Sequence, residues 1–226
     1  IGINAAHKIK CNNMKDNVFF VSGIDTNVGK SYATGYLAKT WNEQGVRTIT
    51  QKFIQTGNVG MSEDIELHRK IMGTGLLPED ESGLTMPEIF TYPCSPHLAA
   101  EIDHRPIDFD KIEKATRQLS ETYDAVLLEG AGGLMVPLTR DLLTIDYVAQ
   151  KNYPLIFVTS GKLGSINHTL LSLEAVTRRG IRLHTVAYNL FPEEDDDIIR
   201  RDTEAYIRDL LAKEYPETHF VIVPKL

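Results

Sequence analysis

The segment 23–31, with the sequence GIDTNVGKS, constrains the fold more than any other part of the chain. An apolar run at 18–21 (VFFV) precedes it and predicts a buried strand, and a helical pattern over 30–44 follows it. A strand, a glycine-bounded loop and a helix that opens with Lys-Ser are typical of a phosphate-binding loop, because loop amides and a helix N-terminus present N–H donors to an anion. Five residues separate Gly23 from Gly29. The common pattern has four, so this loop is a variant form.

The rest of the chain alternates short apolar runs with helical patterns, which predicts one α/β domain of the P-loop type, with a mainly parallel sheet flanked by helices. We predict strands at 18–21, 48–52, 125–128, 155–158, 185–188 and 220–223. We predict helices at 30–44, 64–72, 108–121, 144–151, 166–179 and 197–214. The stretch 73–106 holds many Gly and Pro residues, and we expect a long irregular insertion of the kind that often builds a site.

Composition narrows the class of protein. The net charge of −7 and the pI near 5.5 argue against a nucleic-acid surface, which needs a basic stripe to neutralise phosphates. No apolar run approaches the length that spans a membrane. The two cysteines, Cys11 and Cys94, lack metal-ligand spacing and are expected to be reduced thiols in a cytoplasmic protein. Residues 1–13 precede Met14 and are expected to be a disordered extension or remnant, with 14–226 forming the domain.

A second glycine-rich turn, EGAGG at 129–133, follows the predicted strand at 125–128. Acidic residues at such strand ends often bind Mg²⁺ in P-loop enzymes, which makes Glu129 a candidate ligand. Glycine lets the backbone approach a phosphate closely, so Gly130, Gly132 and Gly133 are candidate nucleotide-binding residues. A bare EGAGG is equally compatible with a tight turn. Its position at a strand end beside a phosphate-binding loop favours a ligand site, because ligands bind at the carboxyl ends of strands in open α/β sheets.

Seven blocks of the sequence resemble the dethiobiotin synthetase family in pattern and in order. The family pattern runs close to GTDTxVGKT, YKPxxSG, SD, SPH, EGAGGxxxPL, xLGxINH and xN. The corresponding blocks here are GIDTNVGKS (23–31), QKFIQTG (51–57), SED (62–64), PCSPH (93–97), EGAGGLMVPL (129–138), KLGSINH (162–168) and YNLFP (188–192). The resemblance covers roughly residues 18–192, and several ordered blocks are far more specific than one phosphate-binding loop.

The resemblance implies a homodimeric enzyme that converts 7,8-diaminononanoate, CO₂ and MgATP into dethiobiotin, ADP and phosphate. An amine captures CO₂ as a carbamate, ATP phosphorylates the carbamate, and the neighbouring amine closes the ring. Carbamate, triphosphate and the mixed anhydride are all anionic, so the chemistry needs positive charge and aimed N–H donors. Lys30 follows from the loop itself, whereas Lys52 and the hydroxyl of Thr26 are assigned catalytic roles by the resemblance.

The resemblance also assigns the binding residues. Its magnesium-binding positions are Ser31, Asp64 and Glu129, whose hydroxyl and carboxylate oxygens suit this hard cation. The nucleotide-binding positions are Asn27, Val28, Gly29, Lys30, Ser31, Glu129, Gly130, Gly132, Gly133 and Asn189, with the Asn189 amide expected to recognise adenine. The substrate-binding positions are Thr56, Gly164, Ser165 and Asn167, the last three reaching the far carboxylate across the dimer interface. From the residues alone, the 164–167 segment is equally an ordinary helix N-terminus capped by Ser165.

The chain departs from the family pattern in several places. Asn27 stands where the family often has Glu, Phe53 replaces a Pro, and Thr56 replaces a Ser. The sequence ends soon after the last predicted strand, from which we expect looser selectivity for the nucleotide base.

Three other functions share this fold. A related synthetase that activates a larger carboxylate would need a glutamine-hydrolysing domain. A P-loop ATPase switch of the partitioning type usually has another Lys early in the loop, where this chain has Ile24 and Asp25. A non-catalytic sensory domain would have lost the charged residues that the chemistry needs, which this chain keeps at Lys30, Lys52, Asp64 and Glu129.

Overall fold

A parallel sheet of six strands, in the order β2-β5-β1-β6-β7-β8, organises the computed structural model, which describes residues 17–191 and 196–225. These strands are β1 (Val18–Gly23), β2 (Thr48–Lys52), β5 (Ala125–Glu129), β6 (Leu155–Ser160), β7 (Leu183–Asn189) and β8 (His219–Val223). A parallel pair of two-residue strands, β3 (Gln55–Thr56) and β4 (Ile89–Phe90), forms a separate small sheet. The predicted α/β fold with a mainly parallel sheet is confirmed.

Eight α-helices are present in the described ranges: α1 (Lys30–Glu43), α2 (Glu63–Met72), α3 (Pro78–Glu81), α4 (Pro96–Ile102), α5 (Phe109–Thr122), α6 (Thr144–Lys151), α7 (Ser165–Arg178) and α8 (Asp197–Glu214). The six predicted helices are confirmed, and each boundary lies within one residue of the prediction. Local signals set these ends. Asp108 caps α5 by accepting a hydrogen bond from the Lys111 amide at 2.9 Å, and Gly45 and Gly180 adopt positive φ just after α1 and α7.

The prediction of an irregular insertion over 73–106 is wrong in part. This stretch contains α3, β4 and α4, and both helices begin with a proline, Pro78 and Pro96. Proline is well tolerated at the first helical position, where its missing N–H would have no helical partner. The same residues that made the stretch appear irregular therefore start its helices.

Apolar side chains cover both faces of the sheet, as the continuous apolar runs of its strands predicted. On one face, the rings of Phe20 and Phe53 meet edge to face, with their centroids 5.5 Å apart. On the other face, Phe19 packs against Trp41 of α1 at 5.2 Å. Burial of each such ring stabilises the fold by about 1.5–3 kcal/mol. The sheet therefore has a packed apolar layer on each face and carries the loops of the site at its carboxyl edge.

The predicted extension at 1–13 lies outside the described residues, as do 193–195 of the acidic run. Asp196 caps α8 by accepting from the amides of Ile198 and Ile199. Within 17–191 and 196–225, no helix is both long and apolar enough to cross a lipid bilayer.

Candidate active site

The phosphate-binding loop joins β1 to α1, as predicted, and its shape depends on Gly29. Gly29 has φ of 82°, a conformation that L side chains rarely adopt. A Cβ atom there would lie 2.2 Å from the Asn189 side-chain nitrogen. The Asp25 carboxylate accepts a hydrogen bond from the Thr26 amide at 2.7 Å and starts the short 3₁₀ turn Thr26–Val28. The loop therefore turns at Gly29, directly before Lys30 begins α1.

Lys30 is almost fully buried beneath this loop, with 4% of its surface exposed. Its ammonium donates to the carbonyl oxygens of Asp25 at 2.8 Å and Thr26 at 3.2 Å. Burial lowers the pKa of Lys30 to about 8, against the opposing effect of the nearby Glu129 charge. The loop carbonyls thus hold a cation at the position that a bound phosphate would meet.

Lys52 and Glu129 lie side by side because they end adjacent parallel strands in register, β2 and β5. The Lys52 ammonium lies 2.8 Å from Glu129 Oε1 and 2.5 Å from Asp64 Oδ2. Burial alone would lower the pKa of Lys52, but the charges of Glu129 and Asp64 outweigh it and raise this pKa. Burial likewise opposes ionisation of Glu129, yet Lys52 and His68 hold its pKa well below the usual range. Both groups are therefore charged at neutral pH.

Ser31 brings the second carboxylate to the same point. Its Oγ lies 2.6 Å from Asp64 Oδ1 and 3.0 Å from Glu129 Oε1. Asp64 occupies the first turn of α2, where Ser62 caps the helix by accepting from the Ile65 amide at 3.2 Å. One hydroxyl and two carboxylates converge here.

These donors fit Mg²⁺, which prefers a few hard oxygen ligands completed by water and phosphate oxygens. In the part of the chain that the structure describes, no three His, Cys, Asp or Glu side chains form a group suited to a metal ion. One hydroxyl and two carboxylates would need phosphate and water oxygens to complete the six-fold coordination that Mg²⁺ prefers.

A cleft of about 570 Å³ opens beside these groups. It brings together several of the predicted site residues: Thr26, Asn27, Lys30, Ser31, Lys52, Thr56, Asp64, Glu129 and Gly132. The sequence analysis assigned no site role to the other residues that line it, most of which lie in the family-like blocks: Ile54, Gln55, Glu63, Pro93, Cys94, Ser95, Pro96, Ala131 and Val136. Cys94 to Pro96 belong to the 73–106 stretch, which does help to build the site.

Asn189 ends β7 and is fully buried behind the phosphate-binding loop. Its side-chain nitrogen donates to the Val28 carbonyl at 2.9 Å, and its Oδ1 accepts from the Phe191 amide at 3.1 Å. The amide therefore ties the loop to the end of β7. Its expected contact with adenine stays a prediction.

The predicted substrate loop at 164–167 does not line the cleft of its own chain. Gly164, with φ of 96°, holds the N-cap position of α7, so the alternative that Ser165 caps this helix is wrong. Ser165 is buried, with its hydroxyl 3.1 Å from that of Ser160, whereas Asn167 is exposed. Asn167 thus lies outside the cleft described above, and its contact with a second subunit's substrate stays a prediction.

Sequence reasoning missed His68, which lies 2.8 Å from Glu129 Oε2 through its Nε2 and is fully buried. The available signal was its spacing. His68 follows Asp64 by four residues on a helix, so both side chains lie on one face of α2.

Comparison with known proteins places this geometry in a class and then in a family. The described phosphate-binding loop, parallel sheet and paired carboxylates define a P-loop nucleotide-binding protein. A family model described as an AAA domain matches residues 17–226. Solved structures of FtsY from Physcomitrella patens and of the MinC:MinD complex from Aquifex aeolicus share the fold, each with a TM-score of 0.52. Their identities are 15% and 12%, and this chain spans 59% and 82% of those chains.

Curated relatives define the family. The ATP-dependent dethiobiotin synthetase BioD 2 of Pasteurella multocida is 52% identical over 206 residues, covering 91% of this chain and 96% of the relative. Its counterpart in Haemophilus influenzae is 57% identical over 184 residues, covering 81% and 96%. The BioD protein of Chlorobaculum tepidum is 52% identical over 191 residues, covering 84% and 80%. The chain therefore belongs to the ATP-dependent dethiobiotin synthetases, the cyclo-ligases of biotin biosynthesis.

Proposed function

We propose that the protein closes the ureido ring of dethiobiotin from 7,8-diaminononanoate, CO₂ and MgATP, with release of ADP and phosphate. The observation that supports this most strongly is the cluster of Lys30, Lys52, Ser31, Asp64 and Glu129 at one end of the cleft. Two buried cations beside two carboxylates suit a reaction that brings several anions together.

The chemistry runs in three steps. One substrate amine attacks CO₂ and loses a proton to give a carbamate. A carbamate oxygen attacks the γ-phosphorus of ATP, and the bond from that phosphorus to ADP breaks. The neighbouring amine then attacks the carbonyl carbon of the mixed anhydride and loses a proton, phosphate departs with the bonding electrons, and the ring is closed.

Each charged side chain has a role in these steps. Lys30 stabilises the charge that develops on the transferring phosphoryl group, and Lys52 faces the carbamate oxygens from the other side. The Thr26 hydroxyl, at the rim of the cleft, holds the substrate between them. Because Lys30 and Lys52 are already held by loop carbonyls and carboxylates, little reorganisation is needed when the reaction begins.

Mg²⁺ would be held by Ser31, Asp64 and Glu129, and when bound it neutralises charge on the phosphate oxygens. Lys52 shares both carboxylates with that ion, so its ammonium keeps them oriented before the nucleotide arrives. The loop residues Asn27, Val28 and Gly29 bind the phosphates, and Asn189 is proposed to contribute to the base site. The turn at Gly130, Gly132 and Gly133 lies on the opposite side of the phosphate-binding site.

We further propose a homodimer in which the loop of Gly164, Ser165 and Asn167 of one subunit binds the far carboxylate of the substrate in the other. Asn167 makes the contact, and Ser165, buried against Ser160, supports the loop from behind. Thr56, in the cleft, binds nearer the reacting amines. Asn167 is exposed at the start of α7, and Leu171, four residues later on the same helical face, is 58% exposed. An exposed leucine beside an exposed amide supports a contact with a second copy.

An experiment with isotope-labelled bicarbonate tests the proposal. Purified protein is mixed with diaminononanoate, ¹³C-bicarbonate and MgATP, and mass spectrometry should detect the cyclic urea with one additional mass unit. ADP formation should match product formation and should fall to background when the diamino acid is omitted. ADP release without the diamino acid, and without labelled product, would instead indicate an ATPase switch. Protein that releases neither ADP nor labelled product would indicate a sensory domain.

A further inference from the structure

A buried hydrogen-bonded chain lies behind Glu129 and links it to a distant segment. Glu129 Oε1 faces Ser31 and Lys52, whereas Oε2 lies 2.8 Å from His68 Nε2. The other ring nitrogen, Nδ1, lies 3.0 Å from the Thr50 hydroxyl. The two oxygens of this carboxylate are thus divided between the cleft and the protein interior.

The Glu129 carboxylate, which is ion-paired with Lys52, determines that His68 bears a hydrogen on Nε2, because a carboxylate oxygen only accepts hydrogen bonds. Arg69 can only donate, and its Nη1 donates to Thr50 Oγ1 at 2.8 Å. The Thr50 hydroxyl also lies 3.0 Å from His68 Nδ1 and holds the ring in place from its other side. His68 therefore donates an N–H to Glu129.

Arg69 is itself held in place. Its guanidinium makes two hydrogen bonds to Asp80, at 2.8 and 2.7 Å, and Asp80 also accepts from the Thr85 hydroxyl at 2.6 Å. Asp80 is 1% exposed and Arg69 is 2% exposed. The chain of contacts therefore begins in the segment 77–85 and ends at the carboxylate that faces the cleft.

Close helix packing makes this arrangement possible. A Cβ atom at Gly35 of α1 would lie 3.3 Å from the His68 Cα and 3.1 Å from Ile71 side-chain atoms. Glycine at this position lets α2 approach closely enough for His68 to reach Glu129. The contact between His68 and Glu129 thus depends on the packing of α2 against α1 and not on α2 alone.

We propose that His68 is a positioning residue, which fixes the Glu129 carboxylate so that Oε1 faces the Ser31 and Asp64 oxygens and can bind the cation of a cation–nucleotide complex. The inference rests on the proposed metal site. A purely structural role would need only a side chain of suitable volume, whereas positioning needs an N–H donor. Partners of this kind typically change metal affinity by about 10- to 100-fold.

The test compares His68→Leu with His68→Gln. Both residues favour helices, but only Gln can place an N–H donor near Glu129 Oε2. The readout is the affinity for Mn²⁺ in the presence of a non-hydrolysable ATP analogue, followed by the electron paramagnetic resonance signal of free Mn²⁺. We expect His68→Leu to weaken Mn²⁺ binding by about 10- to 100-fold and His68→Gln to restore it to within about threefold of the wild type. Melting temperatures are measured in parallel.

The second pair of variants, Thr50→Val and Thr50→Ser, applies if His68→Leu does not fold. Thr50→Val keeps shape but removes the hydroxyl, and should weaken Mn²⁺ binding in the same direction, whereas Thr50→Ser should bind normally. Folded His68→Leu or Thr50→Val protein with the wild-type Mn²⁺ affinity would overturn the positioning role alone. If Asp64→Asn binds Mn²⁺ as tightly as the wild type does, the proposed metal site is wrong, and the inference that depends on it is overturned as well.

Discussion

His184 gives a pH dependence of stability that can be worked out from the structure. It lies on β7, packed among aromatic rings: the centroids of Phe19, Trp41 and His219 are 4.7, 6.2 and 5.2 Å away. Burial, together with the smaller effects of the positive charges on His219 and Arg182, lowers the pKa of His184 from 6.5 to about 4. In the folded protein, His184 is therefore neutral at pH values where the unfolded chain would protonate it.

The direction and size of this pH dependence follow from the linkage between proton binding by His184 and folding. Below pH 6.5 the unfolded chain binds the additional proton, so the free energy of unfolding falls as the pH falls towards 4 and levels off below it. With these two pKa values, the loss between pH 7.5 and pH 5 is about 2 kcal/mol. Such a loss is a substantial fraction of the stability of a typical domain.

Urea denaturation at pH 7.5 and pH 5, followed by circular dichroism, measures this loss. Carboxylates with lowered pKa values, such as Asp80, also make the free energy of unfolding fall as the pH falls. A variant is therefore needed to separate the contribution of His184. His184→Phe keeps an aromatic ring in the cluster and should lose about 2 kcal/mol less than the wild type over this interval. His168→Ala, which removes an exposed histidine, is the matched control. An equal loss in the wild type and His184→Phe would refute the reasoning.

Three further predictions concern the site. Lys30→Ala should lower kcat by about 10²-fold or more, because it removes stabilisation of the transferring phosphoryl group, while Lys39→Ala, an exposed lysine on the same helix, should leave kcat unchanged. Asn167→Ala should mainly raise the KM for the diamino acid and leave the KM for ATP unchanged, because the far carboxylate is remote from the chemistry. Gly29→Ala should abolish binding of a fluorescent ATP analogue, because its Cβ would clash. Gly45→Ala has a similar positive φ but open space, and should lower stability and still bind nucleotide.

Different results would contradict each of these predictions. Near-normal turnover by Lys30→Ala would remove that side chain from the mechanism. An unchanged KM for the diamino acid in Asn167→Ala would mean that α7 does not bind substrate. Wild-type nucleotide affinity in Gly29→Ala would mean that the loop can relax around a methyl group.

The sequence alone was sufficient for those features that depend on neighbouring residues. The phosphate-binding loop, its flanking strand and helix, and the helix ends near Asp108 and Gly180 follow from local backbone preferences and capping. The apolar runs of the strands predicted a sheet covered on both faces. The resemblance of ordered blocks then indicated the family, because those blocks carry the charged residues of the site.

Only the tertiary structure decided which distant residues meet. Lys52 reaches Glu129 because β2 pairs with β5 in register, and Asn189 reaches the Val28 carbonyl across 161 residues of chain. His68 contacts Glu129 because α2 packs closely on α1 at Gly35. Strand order and helix packing depend on the free energy of burying all the apolar faces together, which no short segment encodes. A local pattern can therefore predict some side chains of the site, such as Lys30, but the pairing that positions Glu129 appears only when the whole sheet has formed.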